Sequence, residues 1–292
     1  MVKFINAKLN LGLNIVRKRE DGYHELLTAF YPVGKFNGTP ENPEPFCDIL
    51  DIHTTGYNTG DRFRFSGNNI GCQPSDNLAT RAMDIFRSTC EEESIACMGI
   101  DLELYKHIPD GAGLGGGSAD ASFALLAANQ LHGYPFPKEK LLEMAARLGA
   151  DCPFFIENRP VTARGIGEIM RPIEPVLEGY WALIVKPDVY VSTREAFAGI
   201  TPREPERQIE DILRLPVRKW EEEGLRNDFE PHIFDLHPLL ADIKEELKGH
   251  GALYAAMSGS GSALFGIFST RGDALEGRKA FGQPLKTYVC KL

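Results

Sequence analysis

From Pro109 to Ser122 the chain reads Pro-Asp-Gly-Ala-Gly-Leu-Gly-Gly-Gly-Ser-Ala-Asp-Ala-Ser, with five glycines in the seven residues 111–117. Stripped of side chains, the N–H groups around Gly111, Gly113, Gly115, Gly116 and Gly117 can converge on one anion. An Ala-rich segment from about Ser118 to His132 is expected to be helical, and its N-terminus adds partial positive charge. The chemistry this favours is phosphate binding. The competing reading is a flexible turn, yet such turns seldom run straight into a strong helix former. A second chemical signal lies near the N-terminus. Residues 5–15 alternate, with Ile5, Ala7, Leu9, Leu11, Leu13 and Ile15 on one face and Asn6, Lys8, Asn10, Gly12 and Asn14 on the other. That is a strand with one buried face. Asn and Gly are uncommon in strands, so the polar face is expected to meet a ligand, with edge-strand polarity as the alternative.

The glycine run is not a Walker A loop, because no Gly-Lys-Ser/Thr follows it. Gly111, Gly113 and Gly116 do satisfy G-x-G-x-x-G, but a dinucleotide fold needs a buried parallel strand before the loop and an acid ~20 residues on. Here Ile100, Leu102 and Leu104 alternate with Asp101, Glu103 and Tyr105, and the later region is Phe136-Pro137-Lys138, which opens a helix. The dinucleotide reading fails on context.

The remaining elements follow from pattern. Asp48–His53 reads as a short strand, and Ser75 as the cap of a helix running to about Cys90 with Leu78, Ala82, Ile85 and Phe86 on one stripe. A helix over 138–148 lies between Pro137 and Gly149. Residues 35–46 form a Pro-rich loop. From about 173 the pattern changes. Trp181–Val185 reads as a strand, Ser192 to Glu195 as a capping box, and 206–215, 217–223 and 238–248 as helical segments. Strands near 252–257 and 262–268, a helix over 271–280 and a strand near 286–291 complete a β-α-β-β-α-β, ferredoxin-like order. Two α+β domains are expected, 1–170 and 171–292.

Charge narrows the partners. Thirty-two basic against 41 acidic residues give a net charge of −9 and a pI near 5.4. Nucleic acid and anionic membrane surfaces are therefore unexpected partners, whereas a small anionic ligand needs only a local field. No run reaches the ~18 apolar residues of a membrane span, and residues 1–16 lack a signal-peptide core. The six cysteines form no C-x-x-C pair, so a zinc site is not expected and a reducing, cytoplasmic setting is. Oligomeric state is not legible.

The run Pro109-x-x-x-Gly113-Leu-Gly-Gly-Gly-Ser118 resembles the phosphate loop of the GHMP small-molecule kinases. Ala7-Lys-Leu-Asn-Leu11, Arg19-Glu-Asp-Gly-Tyr-His24, Asp76-Asn-Leu78, Leu148-Gly-Ala-Asp-Cys-Pro153, Gly165-Ile-Gly-Glu168 and Ser258-Gly-Ser-Gly261 extend the resemblance across nearly the whole chain. It implies an α+β GHMP kinase fold: an N-terminal ATP-binding α/β domain, ribosomal protein S5 domain 2-like, and a C-terminal ferredoxin-like domain. It also implies transfer of a phosphoryl group from ATP to an alcohol, with Mg²⁺ expected alongside ATP and no protein ligands for it assignable.

The resemblance further implies roles for single residues. Asp151 becomes the general base, although on residue type alone it serves equally as the N-cap of a turn begun by Pro153. Lys8 becomes the second catalytic residue, stabilising charge as the alkoxide develops. Asn10 would orient the acceptor. Pro109, Asp110, Gly111, Ala112, Gly113, Leu114, Gly115, Gly116, Gly117, Ser118 and Ala119 would hold the phosphates, with Asp110 pointing outward, while Asn77 and Lys106 line the adenine pocket. Tyr23, His24 and Phe197 would take the cytidine end of a cytidine diphospho sugar alcohol, and Ser258–Gly261 would shape the acceptor side. Other GHMP kinases, acting on homoserine or mevalonate, and a non-catalytic nucleotide sensor are the alternatives. The latter has no need of both Lys8 and Asp151.

Overall fold

The structure, a computed structural model, describes residues 1–36, 45–57, 59–68 and 73–292; most of the Pro-rich 35–46 loop lies outside them. In chain order the strands and helices begin with β1 (Val2–Lys18), β2 (His24–Val33), β3 (Cys47–Tyr57), β4 (Arg62–Gly67), α1 (Leu78–Glu92) and β5 (Met98–Lys106). Next come α2 (Gly116–Leu131), α3 (Lys138–Leu148), α4 (Cys152–Glu157), β6 (Val161–Arg164), β7 (Ile169–Pro172) and β8 (Trp181–Lys186). The chain closes with α5 (Thr193–Ala198), α6 (Ile209–Leu213), α7 (Glu230–Leu236), α8 (Pro238–Gly249), β9 (Tyr254–Met257), β10 (Leu264–Phe268), α9 (Arg271–Arg278) and β11 (Lys286–Lys291). The chain forms two compact units, each assembled from separate stretches. One holds residues 1–7, 47–110 and 115–158; the other holds 8–46, 111–114 and 159–292.

In the first unit the start of β1 pairs antiparallel with β3 from Val2↔Asp51 to Asn6↔Cys47. β5 lies antiparallel to β3 and parallel to β4, giving the order β4-β5-β3-β1. Helices α1, α3 and α4 pack around α2, which also meets β3. Close packing around α2 is possible because its buried positions are mostly small, half of them alanine: Ala119, Ala121, Ala124, Ala127 and Ala128. The helix begins at Gly116, two residues before the expected start, since glycines there still accept helical dihedrals. The cap of α1 is Asn77, whose side chain accepts from the Ala79 N–H at 2.9 Å. Ser75 instead lies in a short 3₁₀ turn over Pro74–Asp76. Asn fills the same capping chemistry as Ser.

In the second unit the rest of β1 continues a sheet of order β1-β2-β6-β7, and β8 to β11 form a four-stranded sheet of order β11-β8-β10-β9. β8 pairs antiparallel with both β10 and β11. With α5 to α9 this is the ferredoxin-like order expected from sequence, with α7 as an additional helix. Leu13, Ile15, Leu183, Val185, Ile233, Leu240, Met257 and Phe268 are among its core residues.

Strand β1 corrects one expectation. Residues 5–15 are buried without interruption, so both faces are covered rather than one. The polar face can be buried because its side chains are satisfied. Asn6 and Asn158 exchange amide hydrogen bonds at 3.1 and 2.7 Å, and Asn14 donates to Asp228 at 3.4 Å. Lys8 and Asn10 are satisfied by a network described next.

Candidate active site

Lys8 is 3 % exposed, and its ammonium donates to Asn10 Oδ1 while lying 5.1 Å from the centre of the Phe30 ring. Asn10 Nδ2 donates to Thr28 Oγ1 at 2.9 Å, and that hydroxyl donates to the Gly12 carbonyl at 2.6 Å. The sequence Lys8–Asn10–Thr28–Gly12 therefore has one direction, which fixes the Asn10 amide with its oxygen toward the lysine. The orientation of the Lys8 ammonium is thereby set in advance, as a charge-stabilising role would require. Asn10 was expected to orient an acceptor alcohol; within this unit it orients Lys8.

The centre of the glycine run belongs to the same unit. The Lys8 N–H donates to the Leu114 carbonyl at 2.9 Å, and the Ala263 N–H donates to the Ala112 carbonyl at 3.2 Å. Ser258 accepts from the Asn10 N–H at 3.3 Å and donates through its hydroxyl to the Gly113 carbonyl at 2.8 Å. Gly113 has φ +74°, and a Cβ there would collide with the Ser258 carbonyl. Only glycine fits. The Ser258–Gly261 turn thus supports the loop, held in turn by Asn227, whose Nδ2 donates to the Met257 and Gly259 carbonyls at 2.8 and 2.7 Å.

In the first unit Pro109 is buried and Asp110 is exposed, the outward placement expected for that charge. Gly115 caps α2 in the left-handed region with φ +71°. Gly116, Gly117, Ser118 and Ala119 form the first turn of α2, whose leading N–H groups have no partner inside the helix. Asn77 spends its side-chain oxygen on capping α1 and is buried. Lys106 is 6 % exposed, with its ammonium bonded to Asp48 and, at 2.5 Å, to Asp120 Oδ2. Burial works against the Lys106 charge, but Asp120 and Asp48 outweigh it and hold the ammonium above the ordinary lysine range. Asp120 is pushed well above the ordinary carboxylate range, by burial first, with Lys106 opposing.

Asp151 occupies the N-cap position of α4, yet its side chain makes no capping hydrogen bond there. Its neighbour is anchored: Ser122 donates to the Cys152 carbonyl at 2.7 Å and to the Ser118 carbonyl at 2.9 Å, tying α4 to α2.

Tyr23, His24 and Phe197 fall in the second unit. Tyr23 is 62 % exposed at the end of a tight loop, in which its N–H donates to Asp21 at 3.1 Å and its carbonyl accepts from the Arg19 N–H at 2.8 Å. His24 stacks on Phe197 with centroids 4.8 Å apart, and Phe197 meets Phe229 edge-on at 4.9 Å. Phe197 is half-buried, packing on the core of this unit through Phe229 and stacking on His24. Burial and Lys18 lower the His24 pKa, so its imidazole is neutral near pH 7, with one donor and one acceptor nitrogen.

Among the described residues no three His, Cys, Asp or Glu side chains gather as a metal site. Asp120, the acid on the helix side of the loop, already has an ammonium against its oxygen. The described side chains therefore do not form a cage for Mg²⁺.

Sequence reasoning missed Thr28, Asp48 and Asp120. Thr28 sits in β2 without any pattern to mark it. Asp120 carried a usable signal, being the one charge inside the alanine-rich α2.

Residues 77–159 match the GHMP kinases N terminal domain and residues 209–287 match the GHMP kinases C terminal domain. A protein of Bacteroides fragilis named 4-diphosphocytidyl-2-C-methyl-D-erythritol kinase is 46% identical over 271 residues, covering 92% of each chain. One of Nitratidesulfovibrio vulgaris with the same name is 37% identical, covering 92% of this chain and 90% of its own. A crystal structure of 4-(cytidine 5'-diphospho)-2C-methyl-D-erythritol kinase superposes with a TM-score of 0.78 at 30% identity, covering all of both chains. A homoserine kinase from Cytophaga hutchinsonii shares the fold, with a TM-score of 0.69 at 20% identity, covering 99% of this chain and 95% of its own.

Proposed function

The chain belongs to the GHMP kinases, and from that membership we propose that it uses ATP to phosphorylate the 2-hydroxyl of 4-diphosphocytidyl-2-C-methyl-D-erythritol, a step of non-mevalonate isoprenoid synthesis. The observation that carries the reading is the shared name of relatives that match over nine-tenths of the chain. Residues 1–170 are the ATP-binding domain in this reading and 171–292 its companion. The residue roles are those the family resemblance implies, supported by residue type and local setting. The glycine run offers backbone N–H groups and a helix end to the nucleotide phosphates, with no side chain in the way. Asp151 receives the proton of the acceptor hydroxyl, and Lys8, preset by Asn10, stabilises the oxygen as it gains charge. Neutral His24 and the exposed ring of Tyr23 suit the edge and face of cytosine. Mg²⁺ is proposed to enter as the counter-ion of the nucleotide phosphates, a habit of this cation.

The test offers the cytidyl alcohol, homoserine and mevalonate separately and measures ADP release. Turnover is expected with the cytidyl alcohol alone. Turnover only with homoserine or mevalonate would replace the acceptor assignment, and turnover with none would leave a nucleotide-binding protein without this chemistry.

A further inference from the structure

Three ionisable side chains in the first unit meet in a setting that the phosphoryl chemistry does not use. Asp48 is fully buried near the start of β3, Lys106 closes β5, and Asp120 lies on α2, with Asp120 2 % exposed. Asp48 divides its carboxylate. Oδ1 accepts from the N–H groups of His107 and Ile108 at 2.6 and 2.8 Å, and Oδ2 takes the Lys106 ammonium. That ammonium then reaches Asp120 Oδ2 at 2.5 Å. One cluster therefore holds the chain where it leaves β5 for the glycine run, at 106–108, and the chain where it leaves the run for α2, at 120. A separate observation joins the same two stretches. A Cβ on Gly116 would stand 3.1 Å from the Ile108 side chain and 3.4 Å from Lys106 Nζ, so the start of α2 rests on 106–108 with no side chain between.

We propose that Asp48, Lys106 and Asp120 are positioning residues that clasp the two ends of the glycine run and so preset the N–H groups of α2 for the nucleotide phosphates. The proposal rests on the kinase reading above. It moves Lys106 from the adenine pocket, where the family resemblance put it, to the base of the phosphate loop. Two of the three N–H groups of its ammonium are committed to carboxylates. Charge balance supports the arrangement. Three ionised groups would leave one uncompensated negative charge beneath a polyphosphate site. Burial, however, favours the protonated Asp120 carboxyl, and the remaining Lys106–Asp48 pair is neutral.

The experiment is titration of the intact protein with ADP and, separately, with adenosine, which shares the base but carries no phosphate. Lys106→Met is expected to weaken ADP about tenfold or more, the worth of a charge-assisted hydrogen bond, and to leave adenosine within about twofold. Equal weakening of both ligands would return Lys106 to the adenine pocket and overturn the proposal, as would no change in either. If Lys106→Met does not fold, the pair Asp120→Asn and Asp120→Ala decides. Asn keeps an oxygen for the ammonium and should bind ADP within about threefold of the parent, whereas Ala should lose about tenfold. Equal affinities of the two would overturn the clasp. Unmodified protein that binds neither ligand would instead sink the kinase reading.

Discussion

Asp151 shows how far one side chain can be argued. Its position before Cys152-Pro153 fits a helix cap as well as a base, and its side chain makes no capping hydrogen bond. Asp151→Asn is accordingly expected to lower kcat by about 10²–10⁴ with little change in ATP affinity, measured by steady-state ADP release. A lost ATP site with unchanged chemistry would make the residue structural. Thr28 carries a different lesson, because nothing local marked it. It is an ordinary β-branched strand residue until Asn10, 18 positions away, is seen donating to its hydroxyl. Thr28→Val keeps the shape and removes the relay. It strands the Asn10 amide and the Gly12 carbonyl in a buried setting, at a cost of about 1–3 kcal/mol in a denaturant titration. If Lys8 depends on Asn10 for its orientation, kcat falls in the same variant while ATP affinity holds.

Among the elements, the glycine run was legible because its composition has few other uses. Alternation also revealed β1, but not its second buried face. A period of two tells which residues share a face and says nothing of what covers them. The satisfying partners of the polar face, Asn158 and Asp228, lie more than a hundred residues along the chain. Short elements are less legible: the helical segment expected at 217–223 is a 3₁₀ turn over Val217–Lys219, and α7 opens on Glu230-Pro231 behind Asn227, whose Oδ1 accepts from the Phe229 N–H at 3.0 Å. The loop makes a sharp prediction at this scale. Gly113→Ala forces a side chain into the left-handed region and against the Ser258 carbonyl, and the two penalties together amount to ~2–5 kcal/mol. An unshifted denaturation midpoint would mean that the Ser258–Gly261 turn does not brace the loop.

For the molecule as a whole, the net charge of −9 makes polyanionic partners unexpected and leaves the small ligands open. In the proposed reading the nucleotide would be met by backbone N–H groups and a helix end, which no count of charges records. Global stability against pH has a specific contributor in Glu230, which is buried, accepts from the Met257 N–H at 2.7 Å and pairs with Lys244 at 2.7 Å. Burial raises its pKa, and Lys244 opposes without reversing the shift. An acid whose folded pKa lies above its unfolded value of about 4.3 stabilises the fold below that pH, and the gain is lost as pH rises through the folded pKa. Glu230→Gln keeps an acceptor for Met257 and removes the titration. Relative to the variant, the parent should therefore lose Tm as pH rises from about 4 toward 7. A parent that gains Tm over that range would show that Lys244 governs the group. Stability also has a geography. Eleven consecutive buried residues in β1 leave that strand almost no route to open by local fluctuation. Its amides should be among the last to exchange with heavy water, at the free energy of global unfolding. Lys8 is therefore fastened to the part of the protein that breathes least, and a substitution that loosens loops or helix ends can impair substrate handling while this lysine keeps its aim.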